Sequence, residues 1–404
     1  MNSFLELGVS ARTQEALRRE QITEPNAVQS QCLPDIMAGH DVVIQAPTGS
    51  GKTLAFAIPL VEKLKGHQNG GPRTLLIAPT RELASQIDSV IGYLDPQLRR
   101  ALLMGGVGYG SQLTALHSSP DVVTGCPGRI LDLIARRELI LKNVGYMVLD
   151  EADEMFDQGF AHDVEKILSM IPASINGTAR QTVLASATMP QWVQRMIERH
   201  LVNPMRFSVE PQAETMLEHG VLQVTSATKV DALSNLLKQH RTSAIVFHKT
   251  KWGARKLAHE LTTRGHATAE LQGNLSQNAR DHEMREFRSG RAEVLVATNV
   301  AARGLDVSQV GLVVNYELPD TPQWLTHRVG RTARNGQAGK AVTFLTEKDG
   351  DQWRKLRRLG APALPALDSE LLISTGEWKE LEGKLSAEEH MVTRKMSFRP
   401  RRRR

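Results

Sequence analysis

The run Ala46-Pro47-Thr48-Gly49-Ser50-Gly51-Lys52-Thr53 carries the most specific chemistry in this 404-residue chain. Gly49 and Gly51 let a loop curl so that several backbone N–H groups point at one anion. The Lys52 ammonium and Thr53 hydroxyl that close the run suit a phosphate chain and its Mg2+. An apolar segment, Val42-Val43-Ile44, precedes the loop and another, Leu54 to Leu64, follows it. Strand, loop and helix thus stand in the order a phosphate cradle needs, with the helix N-terminus adding partial positive charge. Ala46 stands where the general pattern has glycine. A second cluster is Val148-Leu149-Asp150-Glu151. An aspartate at the end of an apolar strand can hold Mg2+ opposite Thr53, and Glu151 is placed to orient and deprotonate a water. Such paired acids fit hydrolysis better than transfer to a second substrate. Hydrolysis also wants a cation on the γ-phosphate, and Arg328, Arg331 and Arg334 recur every three residues in 327–334. On a helix they share a face, which reads either as a solvated stripe or as fingers delivered across a cleft to ATP.

The elements that must position these residues follow from the apolar rhythm. Short apolar runs, Thr74 to Ala78, Ala101 to Met104, Asp121 to Thr124, Tyr146 to Leu149 and Thr182 to Leu184, each end in a polar or glycine-bearing motif. Motifs at the carboxyl ends of strands, with helical stretches between, predict an α/β domain whose parallel sheet is covered on both faces. A second series runs through Gly220 to Val224, Ala244 to His248, Thr268 to Leu271, Val294 to Ala297, Leu312 to Asn315 and Ala341 to Leu345. It has no glycine-lysine loop, so one nucleotide site is expected. The rhythm is lost from Pro204 to Leu217. The expected organisation is a first domain over 1–206, a linker over 207–217, a second domain over 218–358 and an extension over 359–404. Ahead of the first strand, Ala11 to Arg19 has helical spacing and a further helix runs to Met37. Gln29 on that helix, taken alone, reads as a surface residue.

Composition narrows the class. Net charge is +6 and the pI about 9.3, a mild excess that permits a polyanionic partner. Aromatics make up 4% of the chain, so base-stacking platforms are not obvious. Cys32 and Cys126 form no ligand spacing, which argues against structural zinc or a disulfide framework and favours a reducing compartment. No basic-then-apolar leader and no bilayer-length run stand out, so a cytoplasmic, monomeric protein without membrane contact is expected. Met391 to Arg404 has seven Lys/Arg and no acid; it reads as a solubilising tail or as an arm attracting phosphates.

Taken in order, these motifs resemble those of the DEAD-box RNA helicases of superfamily 2, over about residues 4 to 345. Pro25 to Gln29, with Phe4 upstream, is similar to the Q motif, and Ala46 to Thr53 to motif I, alanine included. Pro79 to Ala84, Gly105-Gly106 and Pro127-Gly128-Arg129 resemble motifs Ia, the glycine doublet and Ib. Asp150 to Asp153 spells the family's name, and Ser186-Ala187-Thr188 resembles motif III. In the second half, Phe247 lies in a motif IV-like strand, Gln277 and Arg280 have Q-x-x-R spacing, and Thr298 to Asp306 and His327 to Arg334 resemble motifs V and VI.

The resemblance implies two tandem RecA-like domains with ATP and RNA bound across the interdomain cleft. It implies that Gln29 reads adenine and Ile22 packs on the ring, and that Thr48, Gly49, Ser50, Gly51, Lys52 and Thr53 hold phosphates. Thr53 and Asp150 would hold Mg2+, Asp306 the ribose, and Arg331 and Arg334 the γ-phosphate. Thr80, Arg81, Gly106, Arg129, Arg280 and Thr298 would line single-stranded or short duplex RNA without reading sequence, and Ser186, Thr188, His327 and Arg328 would couple nucleotide state to strand separation. Three positions depart from the family pattern: Cys126 for threonine, Asn299 for aspartate, weakening interdomain hydrogen bonding, and Ala333 for glycine, with little effect expected on a helix. The implied activity is RNA-stimulated ATP hydrolysis with local unwinding. An ATP-locked RNA clamp with slow turnover is the rival reading, and a DNA helicase is disfavoured by the motif spellings. If the basic arm touches RNA, deleting residues 391–404 should weaken RNA affinity and flatten its dependence on salt, as read from binding titrations at several ionic strengths.

Overall fold

The computed structural model describes residues 3–47, 49–64, 70–209, 217–299, 310–333, 338–368 and 372. These fall into two units, the first ending and the second beginning in the stretch around 212–213.

The first unit opens with helices α1 (Ala11–Arg19) and α2 (Ala27–Ala38). Strand β1 (Val42–Gln45) leads into α3 (Lys52–Lys63), β2 (Thr74–Ile77) into α4 (Arg81–Leu94), β3 (Arg100–Leu103) into α5 (Tyr109–His117), and β4 (Val122–Gly125) into α6 (Pro127–Ala135). Strand β5 (Tyr146–Leu149) is followed by α7 (Ala152–Asp157) and α8 (Ala161–Ser169). A two-stranded hairpin, β6 (Ser174–Ile175) with β7 (Thr178–Ala179), precedes β8 (Gln181–Ser186), α9 (Gln191–His200) and β9 (Met205–Ser208). The seven-stranded sheet has the order β3-β4-β2-β5-β8-β1-β9, and its pairings are parallel. Alternation along each strand builds two cores. Val42, Ile44, Leu76, Val148 and Val183 face helices α1 to α4, whereas Val43, Leu75, Ile77, Met147, Leu149 and Leu184 face α5 to α9.

The second unit carries β10 (Leu217–Gln223), α10 (Lys229–His240), β11 (Ala244–His248), α11 (Lys251–Thr263), β12 (Thr268–Leu271), α12 (Gln277–Arg288), β13 (Val294–Thr298), β14 (Leu312–Asn315), α13 (Pro322–Val329), β15 (Gly339–Leu345) and α14 (Gly350–Arg358). Its parallel sheet has the order β10-β15-β14-β11-β13-β12. Among the described residues no helix is long and apolar enough to cross a membrane.

Two stretches differ from the sequence expectation. Met205–Ser208, read as the start of the loss of rhythm, is an edge strand pairing β1 in register, Val42 with Met205 through Gln45 with Ser208. It was illegible because an edge strand with exposed residues lacks the apolar run that marks an interior one. After α14 the chain continues to pack on the second sheet. Val221 donates its N–H to the Pro365 carbonyl and accepts from the Leu367 N–H, both at 2.8 Å, and Leu367 and Leu372 lie in the core.

His219 on β10 bonds the Thr343 hydroxyl at 3.0 Å, and burial lowers its pKa from 6.5 to about 4. Because the folded pKa is the lower one, the unfolded chain binds the proton first, and this histidine's cost appears as pH falls from 6.5 toward 4. Chemical denaturation at pH 7 and pH 5 should therefore show His219→Gln gaining about 2 kcal/mol on the wild type at the lower pH.

Candidate functional site

Apart from Ile22 and Gln29, which precede β1, the candidates in the first unit lie at or follow the carboxyl ends of strands. Because β8 separates β1 from β5, the phosphate-type loop and the acidic pair flank Ser186. Gly49 and Gly51 take φ of +81° and +84°, and Gly51 caps α3. Such left-handed turns are where glycine is favoured, and here they coil the loop. Lys52 is buried, and its Nζ donates to the carbonyls of Ala46 and Pro47, both at 2.7 Å. The ammonium is thus stored against the loop it would serve. Thr53 lies in the first turn of α3.

The loop is braced from the N-terminal helix. Asn26 and Gln29 form a reciprocal capping box on α2, with both bonds at 3.0 Å. The same two side chains cross to the loop: Asn26 Nδ2 donates to the Ser50 carbonyl at 3.0 Å and Gln29 Nε2 to the Gly51 carbonyl at 3.2 Å. Gln29 is 3% exposed, so the surface reading from sequence is corrected. The reason is the cap: a glutamine three residues into a helix folds back rather than outward. Its second N–H and second oxygen lone pair leave capacity for a further partner. Ile22, expected against an adenine ring, packs at the edge of the first core.

Asp150 ends β5 buried, and its Oδ1 accepts the Glu151 N–H at 3.0 Å. Burial, then the Glu151 carboxylate, push its pKa up to about 7, against the opposing pull of Lys52. Glu151 itself has φ +53° and ψ +55°, a left-handed conformation uncommon for a non-glycine residue, and it caps α7. This backbone turn aims two consecutive acids away from the strand direction, a feature no spacing rule reveals. Two crowded carboxylates, one raised in pKa, are the donor set that a hard divalent cation relieves, so Asp150 with Thr53 fits Mg2+.

Asp153 joins this segment to β8. Its Oδ2 accepts from the Thr188 N–H at 2.8 Å and the Thr188 hydroxyl at 2.7 Å, its N–H donates to Ser186 Oγ at 3.2 Å, and Ser186 Oγ donates to the Thr188 carbonyl at 2.7 Å. Ser186 and Thr188 were expected; Asp153 as the acceptor between them was not.

A polar track follows β2, β3 and β4. The Thr80 hydroxyl caps α4, accepting the Leu83 N–H at 3.2 Å. The Arg81 guanidinium packs on Gly106, whose φ is +75° and where a Cβ would lie 2.1 Å from Arg81 Nη1. Arg129 donates to the Val107 carbonyl from both terminal nitrogens and lies 4.3 Å from the Tyr109 ring, which Arg136 covers at 4.4 Å. Tyr109 donates to Asp132 at 2.6 Å, and buried Gln112 bonds both the N–H and the carbonyl of Met104, ahead of the glycine doublet. Sequence reading missed Tyr109 and Gln112, though a tyrosine and a glutamine just past two glycines were a visible signal. Cys126 caps α6 without a side-chain bond, and burial and Glu82 raise its thiol pKa to about 12.

In the second unit, Thr298 ends β13 in register with His248 of β11, and Arg280 lies buried in the first turn of α12. The expected arginine face on one helix does not form. Helix α13 stops at Val329, Gly330 caps it, and Arg331 and Thr332 continue as tight turns. Ala333 has φ +54°, so the expectation that it sits harmlessly on a helix is also corrected: the position is left-handed, where glycine carries no strain. Arg328 is 2% exposed. It donates to Asn299 Oδ1 at 2.7 Å, to Asn315 Oδ1 at 3.1 Å and to the Glu317 carbonyl at 2.6 Å, and its guanidinium lies 5.0 Å from the Phe247 ring. Asn299 thus bonds within this unit. Burial lowers the Arg328 pKa to about 9. The His327 ring stands edge-on to Trp324 at 6.4 Å. Arg331 is buried. Thr48, Asp306 and Arg334 lie outside the described residues.

Loop, acids and strand-end motifs define the first sheet as a nucleotide-triphosphatase unit, followed by a second RecA-like sheet. The DEAD/DEAH box helicase family model matches residues 26–196, and the helicase conserved C-terminal domain model matches 228–336. The chain is 40% identical over 375 residues to the DEAD-box ATP-dependent RNA helicase CshA of Bacillus licheniformis, covering 90% of this chain and 76% of that protein. Against CshA of Geobacillus kaustophilus the identity is 41%, covering 90% and 79%. Among solved structures, S. cerevisiae Dbp5 bound to RNA and ADP BeF3 superposes with TM-score 0.80 at 27% identity, covering 98% of this chain and 99% of that one. Mss116p bound to ssRNA and AMP-PNP superposes with TM-score 0.78 at 26% identity, covering 89% and 77%. This chain belongs to the DEAD-box helicase family.

The loop brace makes a test that needs no ligand. A Cβ on Gly51 would lie 2.2 Å from Asn26 Nδ2 and 2.8 Å from Gln29 Nε2, whereas Gly108, at φ −58°, has nothing within 4 Å. Gly51→Ala should cost about 1–3 kcal/mol of stability in denaturant melts and Gly108→Ala almost none.

Proposed function

We infer that this chain is an ATP-dependent RNA helicase, hydrolysing ATP under stimulation by RNA and separating short duplexes locally. The observation that carries it is the buried Asp150 beside Glu151, with Lys52 close enough to oppose its raised pKa at the end of a glycine loop. In this reading Thr48, Gly49, Ser50, Gly51, Lys52 and Thr53 hold the phosphates, Lys52 exchanging the carbonyls of Ala46 and Pro47 for phosphate oxygens. Mg2+, when bound by Thr53 and Asp150, supplies charge neutralisation at the phosphates. Glu151 orients a water and takes its proton as the oxygen attacks the γ-phosphorus, and ADP departs with the phosphate bond's electron pair. Gln29 and Ile22 meet the adenine, Asp306 the ribose, and Arg331 and Arg334 the charge that develops on the γ-phosphate.

For RNA, the reading uses Thr80, Arg81, Gly106 and Arg129 of the first unit and Arg280 and Thr298 of the second as backbone contacts. Contacts of this kind hold strands of any sequence, and a contact to the 2′-OH separates RNA from DNA. Ser186 and Thr188, tied through Asp153, link the acidic segment to its neighbouring strand; His327 and Arg328 serve the same coupling in the second unit. The protein is proposed to act as a monomer in the cytoplasm, where its two free cysteines stay reduced.

Steady-state ATP hydrolysis with RNA, with DNA and with neither tests the reading. RNA should stimulate the wild type and DNA should not. Glu151→Gln should lower turnover by about 100-fold or more while retaining ATP-dependent RNA binding. Tight ATP-dependent RNA binding with negligible wild-type turnover would instead establish a clamp.

A further inference from the structure

The helix α11 carries a face that the proposed backbone contacts do not use. Lys251, Trp252, Arg255, Lys256 and His259 are all exposed on it. Trp252, Arg255, Lys256 and His259 follow the spacing that places side chains along one stripe. Trp252 is 74% exposed, in contrast with Trp192 and Trp353, which are buried. The Lys256 ammonium lies 5.7 Å from its ring centroid. From Lys249 to His259 there are four lysines or arginines and no acid. A bare indole among cations suits a partner that offers both flat aromatic rings and negative charge, which is what a single-stranded nucleic acid presents. An apolar protein partner would not need the cations, and an acidic one would not need the ring.

The position agrees. Two residues separate the end of β11 from the start of α11, and His248 of β11 stands in register with Thr298 of β13. Lys251, beside Trp252, donates to Asn274 Oδ1 at 2.9 Å in the loop between β12 and α12, the helix that carries Arg280. Trp252 therefore stands at the same carboxyl end of the sheet as two of the proposed RNA contacts.

We propose that Trp252 is a base-stacking platform for single-stranded RNA, with Arg255 and Lys256 drawing the phosphates on either side of the stacked nucleotide. This rests on the helicase reading and adds to it a contact with a base where that reading has only backbone contacts.

The test uses the full chain and two labelled probes, a single-stranded oligoadenylate and a matched strand of abasic ribose-phosphate, with binding followed by fluorescence anisotropy in the presence of a non-hydrolysable ATP analogue. Trp252→Ala should weaken binding of the oligoadenylate about tenfold and leave the abasic strand unchanged, and Trp252→Phe should recover most of the loss. Equal weakening of both strands, or of neither, would overturn the proposal; the second result would leave the face to a protein partner. RNA-stimulated ATP hydrolysis measured on the same preparations separates the two levels. Absent stimulation in the wild type defeats the helicase reading, whereas stimulation with an oligoadenylate affinity insensitive to Trp252→Ala defeats the stacking platform alone.

Discussion

The burial of Asp150 against Glu151 is the constraint on which the first unit depends. Two adjacent carboxylates at the end of an interior strand repel each other, and removal from water raises the cost of either charge. The protein holds them there by placing β5 at the centre of the seven-stranded sheet, turning Glu151 into a left-handed conformation, and setting Lys52 close by. Asp150 is therefore held out of its ordinary charge state, with burial and the neighbouring carboxylate acting in the same direction. Lys52 is buried beside them, its ammonium held on two carbonyl oxygens of its own loop.

Around that centre, hydrogen bonds tie segments distant in sequence. Asn26 and Gln29 reach from a helix cap to the loop carbonyls, and Asp153 collects Ser186 and Thr188. Gln112 fixes the strand end before the glycine doublet, and Gly106 lies where only a hydrogen fits beside Arg81. Each link uses a side chain to satisfy backbone groups that a strand end or turn would leave bare, so functional loops are held by the same bonds that make them foldable.

The second unit uses a different device. Arg328 is buried with neutral amide and carbonyl oxygens as acceptors and an aromatic ring beneath it, and burial lowers its pKa against the opposing pull of Asp320 and Glu317. Asn299 in place of aspartate is part of that neutrality. The turn after α13 then carries Arg331 on a backbone that Ala333 completes in a left-handed conformation, a strain glycine would not have.

Much of this was legible without coordinates. The parallel strands of both sheets other than β9 were placed within a few residues, because strands of a doubly covered sheet are short apolar runs and their carboxyl ends carry the polar motifs. Loop, acidic pair and strand-end motifs were readable as chemistry because residue type and spacing alone restrict what they can bind. The tertiary structure decided what spacing cannot encode. Met205–Ser208 is a strand because β1 offers it a partner, not because its residues are apolar. Gln29 is inside because a cap and a loop meet there, and Arg331 lies off the helix that carries Arg328 because Gly330 ends it. Trp252 stands out because the packing of α11 buries Ala254, Leu257 and Ala258 and turns the indole outward with its cations. Residue identity fixes the chemistry available; only the folded backbone, by choosing which groups face one another and which face water, fixes where it is used.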